Sequence, residues 1–205
     1  METNWNACLA FVFSVEGGYT DDPMDPGGAT NLGITLDELS VWRHSAVTKG
    51  DVMNLGRDEA GAVYRANYWN AMRCADLPAG VDLMVFDAAV NTGNGRSAKF
   101  LQAACRTAVD GAIGPRTLAA AHARPAAALI AALAAARLAF YQGLPTFSHF
   151  GHGWTDRVQQ AQSHALQMSF AGAATQAAPS GCRYDPAAAV IRGANAGLAA
   201  LPASS

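Results

Sequence analysis

The segment Tyr19–Ile34 limits the folds open to this chain, because it is crowded with Asp, Pro and Gly between helix-forming stretches. Pro23 and Pro26 lack a backbone N–H and have a restricted φ, so together with the nearby glycines they exclude a helix here. We therefore predict a small β-hairpin or an extended, turn-rich loop over residues 19–34. Loops of this length inside a compact domain tend to be functional, so this segment is the first place to look for a site.

The remainder of the chain has the pattern of a mainly α protein. Apolar residues at helical spacing predict a first helix over Asn4–Val15, which Gly17 and Gly18 end. Thr35 and Glu38 have the spacing of a capping box, so a short helix should begin after Thr35. Apolar runs, several of them preceded by proline, predict further helices at 57–72, 79–91, 96–107, 115–123, 125–142, 154–169 and 186–198.

Charge and composition exclude several classes of protein. The net charge is −2 and no run of Lys or Arg appears, so we expect no nucleic-acid partner. The strongly apolar stretch Ala126–Ala136 is shorter than the roughly 20 residues of a bilayer span, so we expect no stable membrane insertion. No positive charge precedes the apolar Ala7–Val15, so a Sec signal is not expected and export would need another route.

Cysteine and histidine do not form the patterns of a metal centre. The four cysteines are scattered without a CxxC pair, and we expect them to be buried free thiols. No HExxH or GxSxG motif is present, which disfavours a zinc peptidase and a serine hydrolase. A calcium site in the acidic loop is an alternative, although the loop lacks an EF-hand pattern. We expect no metal and no cofactor.

Glu16 is the first candidate for chemistry, because it ends the first helix among apolar and aromatic neighbours. The negative end of the helix dipole and apolar surroundings both disfavour an ionised carboxylate. A glutamic acid that keeps its proton near neutral pH is what a glycosidase needs to protonate a leaving oxygen. On residue type alone, however, a solvated glutamate at a helix end is the commoner case.

The loop after Glu16 supplies two possible partners, Asp25 nine residues later and Thr30 five residues after that. A second carboxylate could activate water or stabilise an oxocarbenium ion, and a threonine hydroxyl could help to hold that water. The aspartates of this loop could equally serve turn formation, since Asp-Pro favours the start of a turn.

The run from Glu16 to Thr35 resembles the signature of the glycoside hydrolase family 108 muramidases, which reads EGGY, a short acidic stretch and DPGGxTxxGI. In that family the glutamate of EGGY is the catalytic acid, and it corresponds to Glu16. The Glu, Asp, Thr order is also similar to the catalytic triad of phage T4-type lysozymes. The step from Asp25 to Thr30 is one residue shorter here.

Four further segments carry the resemblance, which covers about residues 5–168. Tyr64–Trp69 looks like the family's YxxxYW helix, and Phe86–Gly93 looks like its FDxxVNxG segment. Val109–Thr117 resembles the DGxxGPxT motif of the predicted peptidoglycan-binding region that follows, and Phe150–Arg157 resembles the closing helices of that region.

The resemblance implies a lysozyme-like fold and an N-acetylmuramidase that hydrolyses the bond from N-acetylmuramic acid to N-acetylglucosamine. It also implies action on peptidoglycan glycan strands beside phage lysis or protein secretion, often without a Sec signal. A holin or a secretion machinery is then the candidate export partner. Two alternatives stay open: a lytic transglycosylase, and a non-catalytic peptidoglycan-binding accessory of secretion.

Tyr19, Tyr68 and Asn91 are the candidate substrate-binding residues. An aromatic face matches the apolar C–H patches of a sugar, although Tyr64 and Trp69, on the same predicted helix as Tyr68, are expected in the core. Asn91 shares a helix face with Asp87 four residues earlier. That face could bind N-acetyl groups or brace the active-site loop, and we favour bracing.

The resemblance divides the chain into a catalytic region at 1–95, a peptidoglycan-binding helical region at 96–170 and an Ala/Gly/Pro-rich peripheral tail at 171–205. Regions of about 90 residues would each have a thin core, and no linker rich in Pro or Gly separates the first two. We therefore predict that they pack as one bilobed unit with the cleft between the lobes.

Overall fold

The computed structural model describes residues 4–21 and 28–177, and this part of the chain is mainly α, as predicted. A π-helical turn at Arg65–Asn70 continues helix α4, and a 3₁₀ turn at Cys74–Asp76 precedes helix α5. The strands are β1 (Thr30–Asn31) and β2 (Ile34–Thr35), and the α-helices are α1 (Trp5–Val15), α2 (Leu36–Arg43), α3 (Lys49–Met53), α4 (Arg57–Tyr64), α5 (Val81–Thr92), α6 (Asn94–Cys105), α7 (Pro115–His122), α8 (Ala126–Gln142) and α9 (Phe147–Ala177).

A β-hairpin forms in the segment that the sequence excludes from helix. Strands β1 and β2 are antiparallel, with Thr30 opposite Thr35. Thr20 extends this small sheet, because it exchanges two backbone hydrogen bonds of 2.8 and 2.9 Å with Thr30. Leu32 and Gly33 form the turn with φ values of 51° and 75°, and a positive φ at both central residues is typical of a tight hairpin turn of type I′. The predicted hairpin is confirmed.

Helix α5 lies at the centre of the molecule. Its first nine residues, Val81 to Ala89, are all buried, and it packs against α1, α6, α8 and α9. A helix that is covered on every side is apolar around its whole circumference, as this one largely is. The two exceptions are Asp82 and Asp87, both fully buried. Helix α5 therefore contacts helices from both halves of the chain and carries two buried acids.

Several helix ends agree with their sequence signals. The capping box at Thr35 is present, since its hydroxyl accepts from the Glu38 N–H and the Glu38 carboxylate accepts from the Thr35 N–H. Pro115 occupies the first turn of α7, as expected. Helix α3 was not predicted, although Thr48 and Asp51 form a second capping box in front of it. The helix predicted at 186–198 lies outside the described residues.

Helix α9 departs from the prediction at both ends. It was expected at 154–169, but it begins at Phe147 and runs to Ala177, beyond residue 171 where the tail was expected to start. At the start, Gly151 permits close packing, because a Cβ there would lie 2.8 Å from the Phe147 ring. At the end, the sequence after residue 170 is rich in alanine, which has the highest intrinsic helix propensity of the amino acids.

Cys8, Cys74 and Cys105 are buried free thiols, as predicted, and burial raises the pKa of each. Cys182 lies outside the described residues. Within residues 4–21 and 28–177, no single helix is long and apolar enough to cross a membrane. Helices α7 and α8 reach the required length only as a pair, and they are bent by 119° at the break between them.

Candidate active site

Glu16 is the first residue after α1, and the backbone changes direction there. Its N–H still donates to the Val12 carbonyl at 2.9 Å, while its own φ and ψ of −84° and 149° are extended. The side chain therefore leaves the helix where the chain turns towards the hairpin. It is 19% exposed, so solvent and a ligand can reach a carboxylate that is otherwise surrounded by protein.

The hairpin turn closes over one oxygen of Glu16. A Cβ built on Gly33 would lie 3.1 Å from Glu16 Oε2 and 2.2 Å from the Tyr64 hydroxyl, so only a glycine leaves room for both. The Tyr64 hydroxyl donates to the Leu32 carbonyl at 2.9 Å, which ties α4 to the turn. Burial raises the pKa of Tyr64, and the neighbouring Glu16 carboxylate raises it further. Tyr64 is a core residue, as predicted.

The other oxygen of Glu16 is bound by an arginine from helix α9. Arg157 Nη2 donates to Glu16 Oε1 at 2.7 Å, across 141 positions of sequence. The arginine side chain is only 12% exposed. The sequence suggested apolar and aromatic surroundings for Glu16, and that description needs correction because a guanidinium is its nearest charged neighbour. The packing of α9 places the charge there.

Asp87 also binds Arg157. Its Oδ1 accepts from Arg157 Nε at 2.9 Å and from Arg157 Nη2 at 2.8 Å. Its Oδ2 accepts from Arg137 Nη1 on α8. Burial would raise the pKa of Asp87, but the guanidinium groups of Arg137 and Arg157 outweigh burial and hold it below its ordinary value. Burial lowers the pKa of Arg157, and the two carboxylates raise it by more.

The same network continues to Asn91. Arg137 Nε donates to the Tyr141 hydroxyl at 2.9 Å, and that hydroxyl donates to Asn91 Oδ1. Asp87 and Asn91 thus share a face of α5, and both bind side chains of α8. The Asn91 side chain is exposed, so its contact with Tyr141 leaves part of the amide accessible.

Tyr68 and Glu38 form a second polar pair beside Tyr64. Tyr68 lies in the π-helical turn, and such turns often occur at functional sites. Its hydroxyl donates to Glu38 Oε1 at 3.0 Å. Burial raises the pKa of Tyr68, and the carboxylates of Glu38 and Glu16 raise it further. The carboxylates of Glu38 and Glu16 are therefore both close enough to affect the pKa of Tyr68.

Thr30, Tyr19 and Asp25 were also predicted for the site. The Thr30 hydroxyl donates to the Gly28 carbonyl at 3.3 Å, and no hydrogen bond joins it to Glu16 among the described residues. Tyr19 is partly buried and packs against the core. Asp25 lies outside the described residues. The structure therefore brings Glu16 together with Tyr64, Gly33 and Arg157.

Arg157, Arg137 and Glu38 were not among the residues predicted for the site. The sequence contained one usable indication, the acidic Asp87 within an otherwise apolar helix. A buried carboxylate requires a cation or several donors, so Asp87 pointed to an arginine. Nothing in the local sequence said which arginine would reach it.

Across the described part of the chain, no group of three or more His, Cys, Asp or Glu side chains is arranged to hold a metal ion. His122 and His152 make other contacts, with the Asp76 carbonyl at 2.8 Å and with Asp156 at 3.0 Å.

Comparison with known proteins identifies the family. A solved structure described as "Structure of Brucella abortus SagA" is 47% identical and has a TM-score of 0.76, with 82% of this chain and 97% of that chain covered. The family model described as Glycosyl hydrolase 108 matches residues 9–93. The chain belongs to the glycosyl hydrolase 108 family. The resemblance seen in the sequence is thus confirmed.

A second family model, described as Predicted Peptidoglycan domain, matches residues 96–159 of this glycosyl hydrolase 108 member. No curated protein matches the chain. The two matched regions together support glycoside hydrolase activity and a role in hydrolysing or binding peptidoglycan. Glu16, Gly33, Tyr64 and Asp87 lie in the first region, and Arg137 and Arg157 lie in the second.

Proposed function

We propose that this glycosyl hydrolase 108 member is an N-acetylmuramidase, a lysozyme that cleaves the β-1,4 bond between N-acetylmuramic acid and N-acetylglucosamine in peptidoglycan. Glu16 is its general acid. The observation that carries the proposal is the placement of the Glu16 carboxylate, which is partly exposed between the hairpin turn and α9. A positioned carboxylic acid in such a place can protonate a glycosidic oxygen.

The reaction needs a second group on the far side of the sugar ring. We propose that Asp25, or a water that Asp25 orients with Thr30, meets the anomeric carbon as the glycosidic bond breaks. Thr30 lies on β1 and pairs with Thr20, so its strand is joined to the chain that follows Glu16. Thr20 and Thr30 precede and follow Asp25 in the sequence.

The sugar contacts that we propose are Tyr68, Tyr19 and Asn91. Tyr68 is partly exposed one helical turn after Tyr64, whose hydroxyl packs against the same glycine as Glu16. Tyr19 is three residues from Glu16 in the chain and is also partly exposed. Asn91 keeps an exposed amide. We propose that these three side chains contact the glycan, the tyrosines through the apolar faces of sugar rings.

The cellular setting is also a proposal. The protein would be made in the cytoplasm and would act on glycan strands in the cell wall or periplasm. A holin, in phage lysis, or a secretion machinery would then provide its route of export.

The decisive experiment digests purified peptidoglycan with the wild type and with Glu16→Gln. We expect the wild type to lower the turbidity and to release fragments with reducing ends. Removal of the acid should lower the rate by about a thousandfold or more, since general acid catalysis and a correctly placed proton are lost together. Glu59→Gln is the matched control, because Glu59 also pairs with an arginine, Arg43, but elsewhere on the surface.

Each other result points to a different conclusion. Equal clearing by Glu16→Gln and the wild type would remove Glu16 from the role of acid. Fragments ending in 1,6-anhydro sugars, read by mass spectrometry, would make the protein a lytic transglycosylase. Sedimentation with sacculi without release of fragments would identify a binding accessory.

A further inference from the structure

We propose that Arg157 is a positioning residue for Glu16, anchored by Asp87, so that the region matched by the Predicted Peptidoglycan domain model supplies part of the catalytic site. This inference rests on the proposed role of Glu16 as the acid. It assigns a task to a side chain of α9 that lies 141 positions from Glu16 in the sequence.

The first step is the way in which Arg157 itself is held. Its Nε and Nη2 both donate to Asp87 Oδ1, at 2.9 and 2.8 Å. Two hydrogen bonds along one edge of a planar guanidinium restrict its rotation, which a single ammonium group could not achieve. The position of Nη2 is thus set by Asp87, on a buried helix, and not by solvent.

The second step is the way in which Asp87 is held. Its side chain has no exposed surface. Its second oxygen accepts from Arg137, which is 1% exposed and also donates to Tyr141. Both carboxylate oxygens are therefore bound by guanidinium groups from α8 and α9. A rigid support of this kind is what keeps a reacting group within a fraction of an ångström of its productive position.

The third step concerns the two oxygens of Glu16. Arg157 binds Oε1 at 2.7 Å, and Oε2 lies near the Gly33 turn. A guanidinium has no lone pair to accept a hydrogen bond, so a proton on Glu16 belongs on Oε2. Arg157 thereby determines which oxygen carries the proton and where that oxygen points.

The fourth step is charge. Asp87 and Glu16 balance Arg137 and Arg157 when both acids are ionised. When Glu16 is protonated, Arg157 keeps its two bonds to Asp87 and stays in place. Once the proton has moved to the glycosidic oxygen, the new carboxylate finds a charge-assisted donor already oriented towards it. Donors aligned in advance with developing charge stabilise the transition state more than the ground state.

The test compares Arg157→Ala, Arg157→Lys and Arg43→Ala with the wild type on soluble, uncrosslinked glycan strands. We expect Arg157→Ala to lower kcat about a hundredfold with KM changed less than about threefold, since misplacement of a catalytic group by about 1 Å has a cost of that size. Arg157→Lys should retain a larger part of kcat. Free guanidinium ion, well below denaturing concentrations, should restore part of the kcat of Arg157→Ala.

Arg43→Ala is the matched control, because Arg43 also bridges two carboxylates, those of Glu59 and Asp51, and has no contact with Glu16. It should keep the wild-type kcat and show no response to guanidinium. If Arg157→Ala does not fold, as judged by thermal unfolding, Arg157→Lys carries the comparison.

A wild-type kcat in the Arg157 variants would overturn the inference. A loss confined to KM would make Arg157 a substrate contact, and a loss of kcat without rescue by guanidinium would make it a structural residue; either result overturns the positioning role. Glu16→Gln belongs in the same series. If Glu16→Gln is as active as the wild type, the proposed function fails, whereas an inactive Glu16→Gln beside a fully active Arg157→Ala refutes only this inference.

Discussion

Helix α5 buries two aspartates, one in its first turn and one near its middle, and they are accommodated in opposite ways. Asp82, at the start, accepts from the Gly80 and Leu83 backbone N–H groups at 2.7 and 2.8 Å and from the Asn4 amide at 2.7 Å. All three donors are neutral. Asp87, five residues later, lies between Arg137 and Arg157. One buried acid is satisfied by neutral donors and the other by cations.

The pKa directions express this difference. Burial raises the pKa of Asp82, and the bonds from Asn4, Leu83 and Gly80 do not reverse it. At Asp87 the two guanidinium groups overcome the effect of burial and lower the pKa. The Asp82 arrangement lies in the first turn of α5. The Asp87 arrangement costs more desolvation, since it also buries two arginines, and it ends at Glu16. The extra charge lies where the chemistry is proposed.

The largest expected effect is a loss of stability when Asp87 is replaced by asparagine, compared with the same replacement at Asp82. Asp87→Asn leaves Arg137 and Arg157 with one neutral acceptor between them, and breaking a buried ion pair in this way should cost about 3–5 kcal/mol of stability. Asp82→Asn keeps an oxygen for the two backbone donors, and rotation of the Asn4 amide restores the third bond. It should cost about 1–2 kcal/mol.

Urea unfolding at pH 7 measures both changes, and hydrolysis of glycan strands is assayed in parallel. Activity should fall only in Asp87→Asn, because Arg157 loses its anchor there. Equal costs at the two positions would show that the cations at Asp87 add nothing beyond ordinary hydrogen bonds.

The second prediction tests whether the contacts that begin at Asp87 continue through Glu16 to the hairpin turn. Gly33→Ala introduces a Cβ beside the Tyr64 hydroxyl and Glu16 Oε2 at a φ of +75°. We expect a loss of about 2 kcal/mol from backbone strain and steric overlap, together with a clear drop in activity.

Gly28→Ala is the control within the same segment, since Gly28 has a φ of +65° and none of the residues that the structure describes lies within 4 Å of the added Cβ. Gly28→Ala introduces only the backbone strain, so its free energy of unfolding should fall by about 1 kcal/mol. Thermal unfolding and glycan hydrolysis separate the two variants. Identical behaviour would mean that the contact with Glu16 has no energetic weight.

The smallest effect is the dependence of stability on pH, which should have opposite signs for Asp82 and Asp87. The unfolded chain has an aspartate pKa of about 3.9. Asp82 titrates above that value when folded, so its contribution to stability is full at low pH and is lost as the pH rises through the folded pKa. Asp87 titrates below it, so its contribution is present above about pH 4 and is lost as the pH falls through the folded pKa.

Between pH 3 and pH 7 the cost of Asp82→Asn should therefore decrease, and the cost of Asp87→Asn should increase. Unfolding in urea at pH 3, 5 and 7 gives both slopes. If both costs changed with pH in the same direction, the conclusion that cations hold Asp87 but not Asp82 would be contradicted.

The sequence predicted well wherever the signal is local. The prolines and glycines of Tyr19–Ile34 excluded helix, and a hairpin forms there. The capping box at Thr35 and Glu38 places the start of α2 correctly. Helix α9 was misplaced because the glycines after Phe147 weaken helix propensity, whereas tertiary packing decides whether a glycine is tolerated.

Glu16 belongs to the local class as well, since its own segment carries the family signature and its position at the end of α1 follows from the glycines behind it. The surroundings of Glu16, in contrast, could not be predicted from its own segment. Arg157 reaches Glu16 and Asp87 because α9 packs against α5, and α8 brings Arg137 to the same acid. A pairing across 141 positions depends on how whole helices pack, and no short run of residues contains that information. The sequence was therefore sufficient to propose Glu16 as the acid, whereas the contacts that hold its side chain are seen only in the folded molecule.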